Sequence, residues 1–281
     1  MLCAMRRRRR HCAYTIHSTT QETVMRITRS LSFVLMFALL AGCGTPQKTL
    51  RQVPRDKRSG LMVLNFKNVT LKSRAEEFGP WEFGIPSMLM TDLEAIGLFN
   101  IISREQMKEV IKEQEFQLSG MVDADKAVKL GRILAARYML AGSFMEMNGS
   151  LRVESQVYSV ETGAQLGAAA VAGKTESFFQ LQKELVVKIT GYLDAMLSAE
   201  EARLIAKNVE TRSVDASLSN YRGEIAVMRA EDLKAKGNTD EAKKAIDTAK
   251  TNFQKAIALD PEYEKARKNL ARISLAVPVT L

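Results

Sequence analysis

Two runs of strand length, Tyr138 to Met147 and Leu151 to Val160, are separated only by Asn148-Gly149. That dipeptide suits a two-residue turn whose central residues both have positive φ, so it closes a β-hairpin and fixes its register. Along the second run Leu151, Val153 and Val157 alternate with Arg152, Glu154 and Gln156. One sheet face is therefore buried and the other wet, and an all-helical fold is excluded. Glu161-Thr162-Gly163 turns the chain into a third strand, roughly Gln165 to Lys174. Phe178, Leu181, Leu185, Ile189, Tyr192, Leu193 and Met196 then predict one long amphipathic helix.

Upstream, Leu61 to Phe66 (LMVLNF) is an apolar run of strand length. Ile85, Met88, Leu89, Leu93 and Ile96 recur at helical spacing, and Gly97 closes that helix. Leu98 to Ile102 reads as another strand. Ser103 with Gln106 forms a capping box that opens a helix through Met107, Val110 and Ile111. Asp123 caps a further short helix through Ala127, Leu130 and Leu134. Residues 60–200 are thus expected to form an α/β (α+β) domain, a mixed sheet with packed helices, large enough for one core.

The first 42 residues differ from all of this. They hold seven of the 41 Lys and Arg, one of the 32 acids, both histidines (His11, His17) and two of the three cysteines (Cys3, Cys12). From Met25 a positive stretch with Arg26 and Arg29 leads into the uncharged run Leu31 to Leu40. A stable membrane-spanning helix needs about twenty apolar residues, so a core of half that length is an export signal. It ends on Leu40-Ala41-Gly42-Cys43, which resembles the bacterial lipobox. The resemblance implies cleavage between Gly42 and Cys43 and acylation of Cys43, giving a signal peptide at 25–42. Residues 1–24, with Arg6 to Arg10, precede a complete signal and read as an over-extended start. That basic run lacks interleaved aromatics and a folded context, so nucleic acid is not an expected partner. Residues 43–59 are polar, hold two prolines and suit a tether. Arg51, Arg55, Lys57 and Arg58 suit either anionic headgroups or plain solvation.

Processing would leave Cys43 as the sole cysteine and no histidine. An intramolecular disulfide, Ser-His-Asp or Cys-His catalysis, His-ligated zinc and a histidine switch then lack their parts. No Gly-rich phosphate loop is present either. Paired-carboxylate chemistry needs only Asp and Glu, but Glu105, Glu109 and Glu113 fall on a charged helix face where solvation is the default reading. The expectation is a protein that is not an enzyme and has no cofactor or metal ligand set.

After residue 200 the chain becomes rich in Ala, Lys and Glu, and Ser198 with Glu201 forms a capping box. Ala242, Ala245, Ile246, Ala249, Phe253, Ala256 and Ile257 form a continuous stripe, followed by Asp260-Pro261 as helix cap and first helical residue. Residues 237–242 (GNTDEA) and 252–266 (NFQKAIALDPEYEKA) resemble the tetratricopeptide repeat. Ala242 lies seven residues too far from the second group for one register to serve both, and one repeat is fewer than the roughly three a stable array needs. Residues 201–281 therefore read either as a helical hairpin packed on the α/β body or as a docking surface for a partner peptide or for copies of the chain.

VLNF, GLFNIISREQMKEVIKEQEFQLSG, DADKAVKLGRILAARYMLAGSF and LRVESQVYSVETGAQL in succession resemble the CsgG family, lipoproteins related to the curli production assembly/transport component with a core similar to the TolB amino-terminal fold. The resemblance covers about residues 60–200, with the stretch from Phe99 to Gly163 the most telling. It implies a lipid-anchored protein at the periplasmic face of the outer membrane; Gly44 is not the aspartate that favours inner-membrane retention in enteric bacteria. It further implies envelope or secretion proteins as partners, and self-assembly. The family's secretion channel inserts long extra hairpins between its core strands, each membrane strand taking about 9–11 residues. This chain has no such surplus, since Asn148-Gly149 closes one hairpin directly and residues 165–175 lead straight into a helix. Two functions follow: an accessory or assembly component for secretion of curli-like fibres or surface proteins that is not itself a pore, or an activator or adaptor of envelope machinery such as a peptidoglycan synthase.

Overall fold

The computed structural model describes residues 53–113 and 124–275; Cys43 with its leader, and the expected cap Asp123, lie outside them. In chain order the elements are β1 (Ser59–Asn68), α1 (Lys72–Phe78), α2 (Trp81–Ala95), β2 (Phe99–Ile101), α3 (Arg104–Glu113), α4 (Ala124–Ile133), β3 (Tyr138–Met147), β4 (Ser150–Ser159), β5 (Gln165–Lys174), α5 (Phe178–Thr190), α6 (Ala199–Lys207), α7 (Val214–Ala235), α8 (Thr239–Leu259) and α9 (Glu264–Leu275). The five strands form one sheet in the order β2-β1-β3-β4-β5. β1 is parallel to both β2 and β3, whereas β4 and β5 continue antiparallel. The mixed sheet with packed helices is the α/β (α+β) architecture read from the sequence, and the helical carboxy-terminal region follows it.

The periodicities explain the layers. Leu61 to Leu64 are all buried because β1 is covered on both faces, the usual reason for an unbroken apolar run in a parallel strand. One face, with Leu61, Val63, Leu140, Phe144, Val153 and Val157, packs beneath Ile85, Leu89 and Leu93 of α2 and Leu185 and Ile189 of α5. The opposite face, with Met62, Leu64 and Met139, packs on Met107, Ala127 and Leu130 of α3 and α4. Each large apolar side chain buried in this way contributes about 1.5–3 kcal/mol. Trp81 sits at the centre of the first layer, stacked on Phe178 at 4.1 Å and tilted against Phe78 at 5.2 Å.

Local chemistry sets the boundaries. Asn148 (φ 52°) and Gly149 (φ 79°) both occupy the left-handed region that the two-residue turn demands. Ser103 N donates to Gln106 Oε1 at 2.9 Å and Gln106 N to Ser103 Oγ at 3.2 Å, closing the expected capping box. Ser198 and Glu201 form a second such box at the start of α6.

Two expectations are corrected. The helix predicted through Met196 ends at Thr190: a turn follows, with Asp194 at φ 53° and the Ala195 N–H bonded to Thr190 O. Its apolar spacing runs on because Leu193 is still buried, although by a turn and not by a helix. Nor does Pro261 open a helix. Asp260 Oδ1 accepts from Glu262 N at 3.1 Å, and its other oxygen accepts from the Thr211 hydroxyl, so 260–263 is a turn and α9 begins at Glu264.

α8 reconciles the two repeat-like segments. Ala242, Ala245, Ala249, Phe253 and Ala256 all lie buried along its single 21-residue length, so the extra seven residues are two more turns of one helix. α7 shows no amphipathic stripe because Ala216 to Tyr221 are buried all round, between α8 and the α/β body. Leu218 and Tyr221 belong to the sheet core, and the Tyr221 ring meets Phe83 edge-on at 6.1 Å.

A Cβ at Gly84 of α2 would lie 2.6 Å from the Tyr221 ring. Overpacking costs about 1–3 kcal/mol, more than the ~1 kcal/mol that alanine gains over glycine in a helix. Gly84→Ala should therefore lower the urea midpoint, and the loss it causes should be smaller when it is introduced into a Tyr221→Leu background.

Candidate functional site

The acylation residue read from the sequence, Cys43, lies outside the described residues, so the described site is a surface on the helical region. α7 and α8 pair as an antiparallel hairpin turned by Gly237 (φ 81°). Between them runs a groove of about 360 Å³, lined by Arg222, Ile225, Ala226 and Arg229 from α7 and Glu241, Lys244, Ala245 and Thr248 from α8. Arg222 and Arg229 are seven residues apart, two helical turns, and so share a face. Three cations oppose one carboxylate across an apolar floor of Ala226 and Ala245. Arg222 also donates to Glu77 O of α1 at 2.6 Å, which fixes one end of the groove to the body.

What holds the hairpin in place is a buried polar joint in the segment between α6 and α7. The Glu210 carboxylate accepts from the Tyr221 hydroxyl at 3.2 Å, from the Tyr263 hydroxyl at 3.4 Å and from Lys265 Nζ at 3.3 Å. Lys265 Nζ lies 4.7 Å from the centre of the Tyr221 ring and 3.5 Å from Glu224. Burial first, then the charge of Glu210, pushes both phenols far above their ordinary pKa, so they stay neutral donors. Asn269 Nδ2 adds bonds of 3.1 Å to Asn220 and Glu224, tying α9 to α7.

A second joint centres on Asp92 of α2, which is 1% exposed. It accepts from Lys183 Nζ at 2.7 Å, Gln182 Nε2 at 2.8 Å and Asn208 Nδ2 at 2.8 Å. Burial raises its pKa, opposed by the Lys183 charge. One side chain thus links α2, α5 and the exit of α6. A third, Glu146, is 1% exposed, accepts from Arg74 Nη1 at 2.8 Å and from Gly149 N at 2.7 Å, and braces the tip of the β3–β4 hairpin.

The acids read on the α3 face keep the solvated character expected of them: Glu105 and Glu109 are exposed. Sequence reasoning passed over Arg222, Arg229, Glu210 and Asp92. The seven-residue spacing of the two arginines was the available signal for the groove. No spacing signals the joints, whose members come from elements far apart in the chain.

The polar joint predicts alkaline sensitivity. Above about pH 10, the ordinary phenol value, tyrosines of the unfolded chain ionise while Tyr221 and Tyr263 do not, so the unfolded state binds fewer protons and stability falls as pH rises. Guanidinium titrations from pH 8 to 11 should show this fall. Tyr263→Phe should flatten it, at a cost of about 1 kcal/mol near neutrality for the lost hydrogen bond.

Comparison with known proteins gives a family. The model of the curli production assembly/transport component CsgG matches residues 47–202. None of the curated proteins compared with the chain matches it in sequence. Among solved structures, the LpoB C-terminal domain from Escherichia coli shares 22% identity at a TM-score of 0.35, over 42% of this chain and 83% of its own. The PelC dodecamer from Paraburkholderia phytofirmans shares 18% at 0.32, over 53% and 94%. TolB from Acinetobacter baumannii shares 13% at 0.34, over 50% and 29%. With more than half of its 281 residues matched by the family model, the chain belongs to the CsgG family.

Proposed function

We propose that this chain is an exported lipoprotein, anchored through Cys43 at the periplasmic face of the outer membrane, that serves as an accessory or assembly component in secreting curli-like fibres or surface proteins. The observation that carries the reading is the family match, which begins at residue 47, just past a lipobox-like end at Cys43. Two acyl chains hold a protein stably to a bilayer, whereas one does so only marginally. The protein acts by binding, not by catalysis: it grips neighbours from a fixed station.

The chain is not itself the pore. β3 and β4 are ten residues each and joined by two, and β5 passes through residues 175–177 directly into α5. Every residue of that hairpin is thus paired within the core sheet, and none is left over for a membrane strand.

The groove between α7 and α8 favours a second reading, an adaptor or activator of envelope machinery such as a peptidoglycan synthase. Its Arg222, Arg229 and Lys244 suit an acidic partner segment, because cations around an apolar floor supply both steering and burial. Pull-down from a detergent extract separates the two. Fibre subunits with an outer-membrane channel support the first, and a penicillin-binding protein supports the second. In either case Arg229→Glu with Lys244→Glu should weaken capture about tenfold or more while leaving the melting temperature near that of the parent.

Cys43→Ser should yield a protein that takes up no labelled palmitate and stays unprocessed or soluble. A correctly cleaved serine variant retained in the membrane fraction would contradict the anchor. Purified lipidated protein in planar bilayers should show no conductance, and discrete channel openings would contradict the accessory role.

A further inference from the structure

The end of the sheet at which the chain enters is the one that lies nearest, along the chain, to the tether and Cys43. β1, β2 and β3 start there, β4 ends there and β5 starts there, as their pairings require: Ser59 beside Phe99, Leu61 beside Tyr138, Tyr138 beside Ser159 and Tyr158 beside Gln165. The turn after α5 is held to the same end, because the Tyr138 hydroxyl bonds Asp194 at 3.1 Å and Tyr192 lies against Gly167. The exit of α4 joins it through the bond from Arg137 N to Gly60 O.

Four large apolar side chains at this end face solvent: Met196 is 82% exposed, Ile133 47%, Leu166 43% and Tyr192 40%. Around them stand the exposed cations Arg55, Lys57, Arg132 and Arg137, with Arg58 partly exposed, against the acids Asp56, Glu161 and Asp194. Single exposed apolar residues are ordinary, but a group of them rimmed by cations marks an interaction surface. Its place in the chain indicates the partner. Val53, the first described residue, is fixed here by a 2.9 Å bond from Arg58 Nε to its carbonyl. Cys43 lies ten residues before it, a span of at most about 35 Å when fully extended.

We propose that this sheet end rests on the lipid bilayer, with Met196, Tyr192, Leu166 and Ile133 entering the headgroup region and the surrounding cations meeting lipid phosphates. The proposal rests on the anchoring reading given above. Tyrosine and the basic side chains, each apolar along its body and polar at its tip, suit that boundary, and the negative surface potential of anionic lipid attracts the net positive charge. Seated in this way, the body turns the α7–α8 groove away from the membrane, since Arg222 is bonded to α1, the helix that follows the opposite end of β1.

Photolabelling tests it. Lipidated full-length protein is reconstituted into phosphatidylethanolamine–phosphatidylglycerol vesicles carrying a diazirine lipid, and labelled peptides are identified by mass spectrometry. Label should concentrate in peptides holding Ile133, Leu166, Tyr192 and Met196. Met196→Glu, and separately Ile133→Glu, should each cut label on its own peptide about threefold or more, with melting curves confirming a folded body. Label spread as densely over α7 and α8, or Met196 crosslinked to a second copy, would overturn the proposal. The mass of the Cys43 peptide is read in the same sample. An acylated Cys43 with an unlabelled sheet end refutes this inference alone, whereas an unacylated Cys43 refutes the anchor and leaves the label on residues 191–197 to decide the sheet end.

Discussion

The burial of α2 between two partners holds the molecule together. Its Ile85, Leu89 and Leu93 cover the sheet, while Gly84 and Phe83 receive the Tyr221 ring of α7. An amphipathic surface helix has one apolar stripe, but α2 is buried over most of its circumference, with Trp81, Phe83 to Pro86, Met88, Leu89, Asp92 and Leu93 all covered. A helix that is apolar nearly all round gains stability only when covered on all sides, so sheet and helical hairpin stabilise each other through it. Asp92 on the same helix extends the coupling with a carboxylate that lies 1% exposed and fully bonded to α5 and the exit of α6.

That coupling gives the hairpin a fixed position. Most of its hydrophobic contacts are alanines, which bury little area each, so the polar joint at Glu210 specifies where α7 and α9 meet. Its two phenols are fully buried, and a buried hydroxyl left without its acceptor would cost about 1–3 kcal/mol, so few arrangements are tolerated. The groove lined by Arg222, Arg229 and Lys244 is thereby presented by a rigid frame, which reduces the ordering cost that binding would otherwise carry.

The family position fits this construction. The CsgG-type core ends with α5 and the first turn of α6, and the residues beyond the matched segment, 203–275 among those described, build the rest of α6, the hairpin and α9. Elements added to a shared core are where members of one fold acquire different partners. In the proposed arrangement the sheet end beside the tether keeps the protein in place, and the groove faces a partner.

Much of the fold was legible because local chemistry and periodicity agreed. Asn148-Gly149 could close only one kind of turn, the alternation from Leu151 to Val157 assigned each side chain its face, and Ser103-Gln106 and Ser198-Glu201 marked helix starts through bonds made within four residues. The lipobox-like end at Cys43 is likewise a local pattern, readable without a fold. Tertiary structure alone decided the rest. It ended α5 at Thr190 although the apolar spacing ran on, drew Asp260 to Thr211 and so denied Pro261 a helix, and buried the opening turns of α7, Ala216 to Tyr221, on all sides where no stripe announced it. It also gathered Asp92, Lys183 and Asn208 into one cluster, and Glu210, Tyr221 and Lys265 into another. The physical reason is range. Turns, caps and alternation report interactions between neighbours in the chain, whereas a buried charge or the end of a helix is settled by partners that only folding brings near.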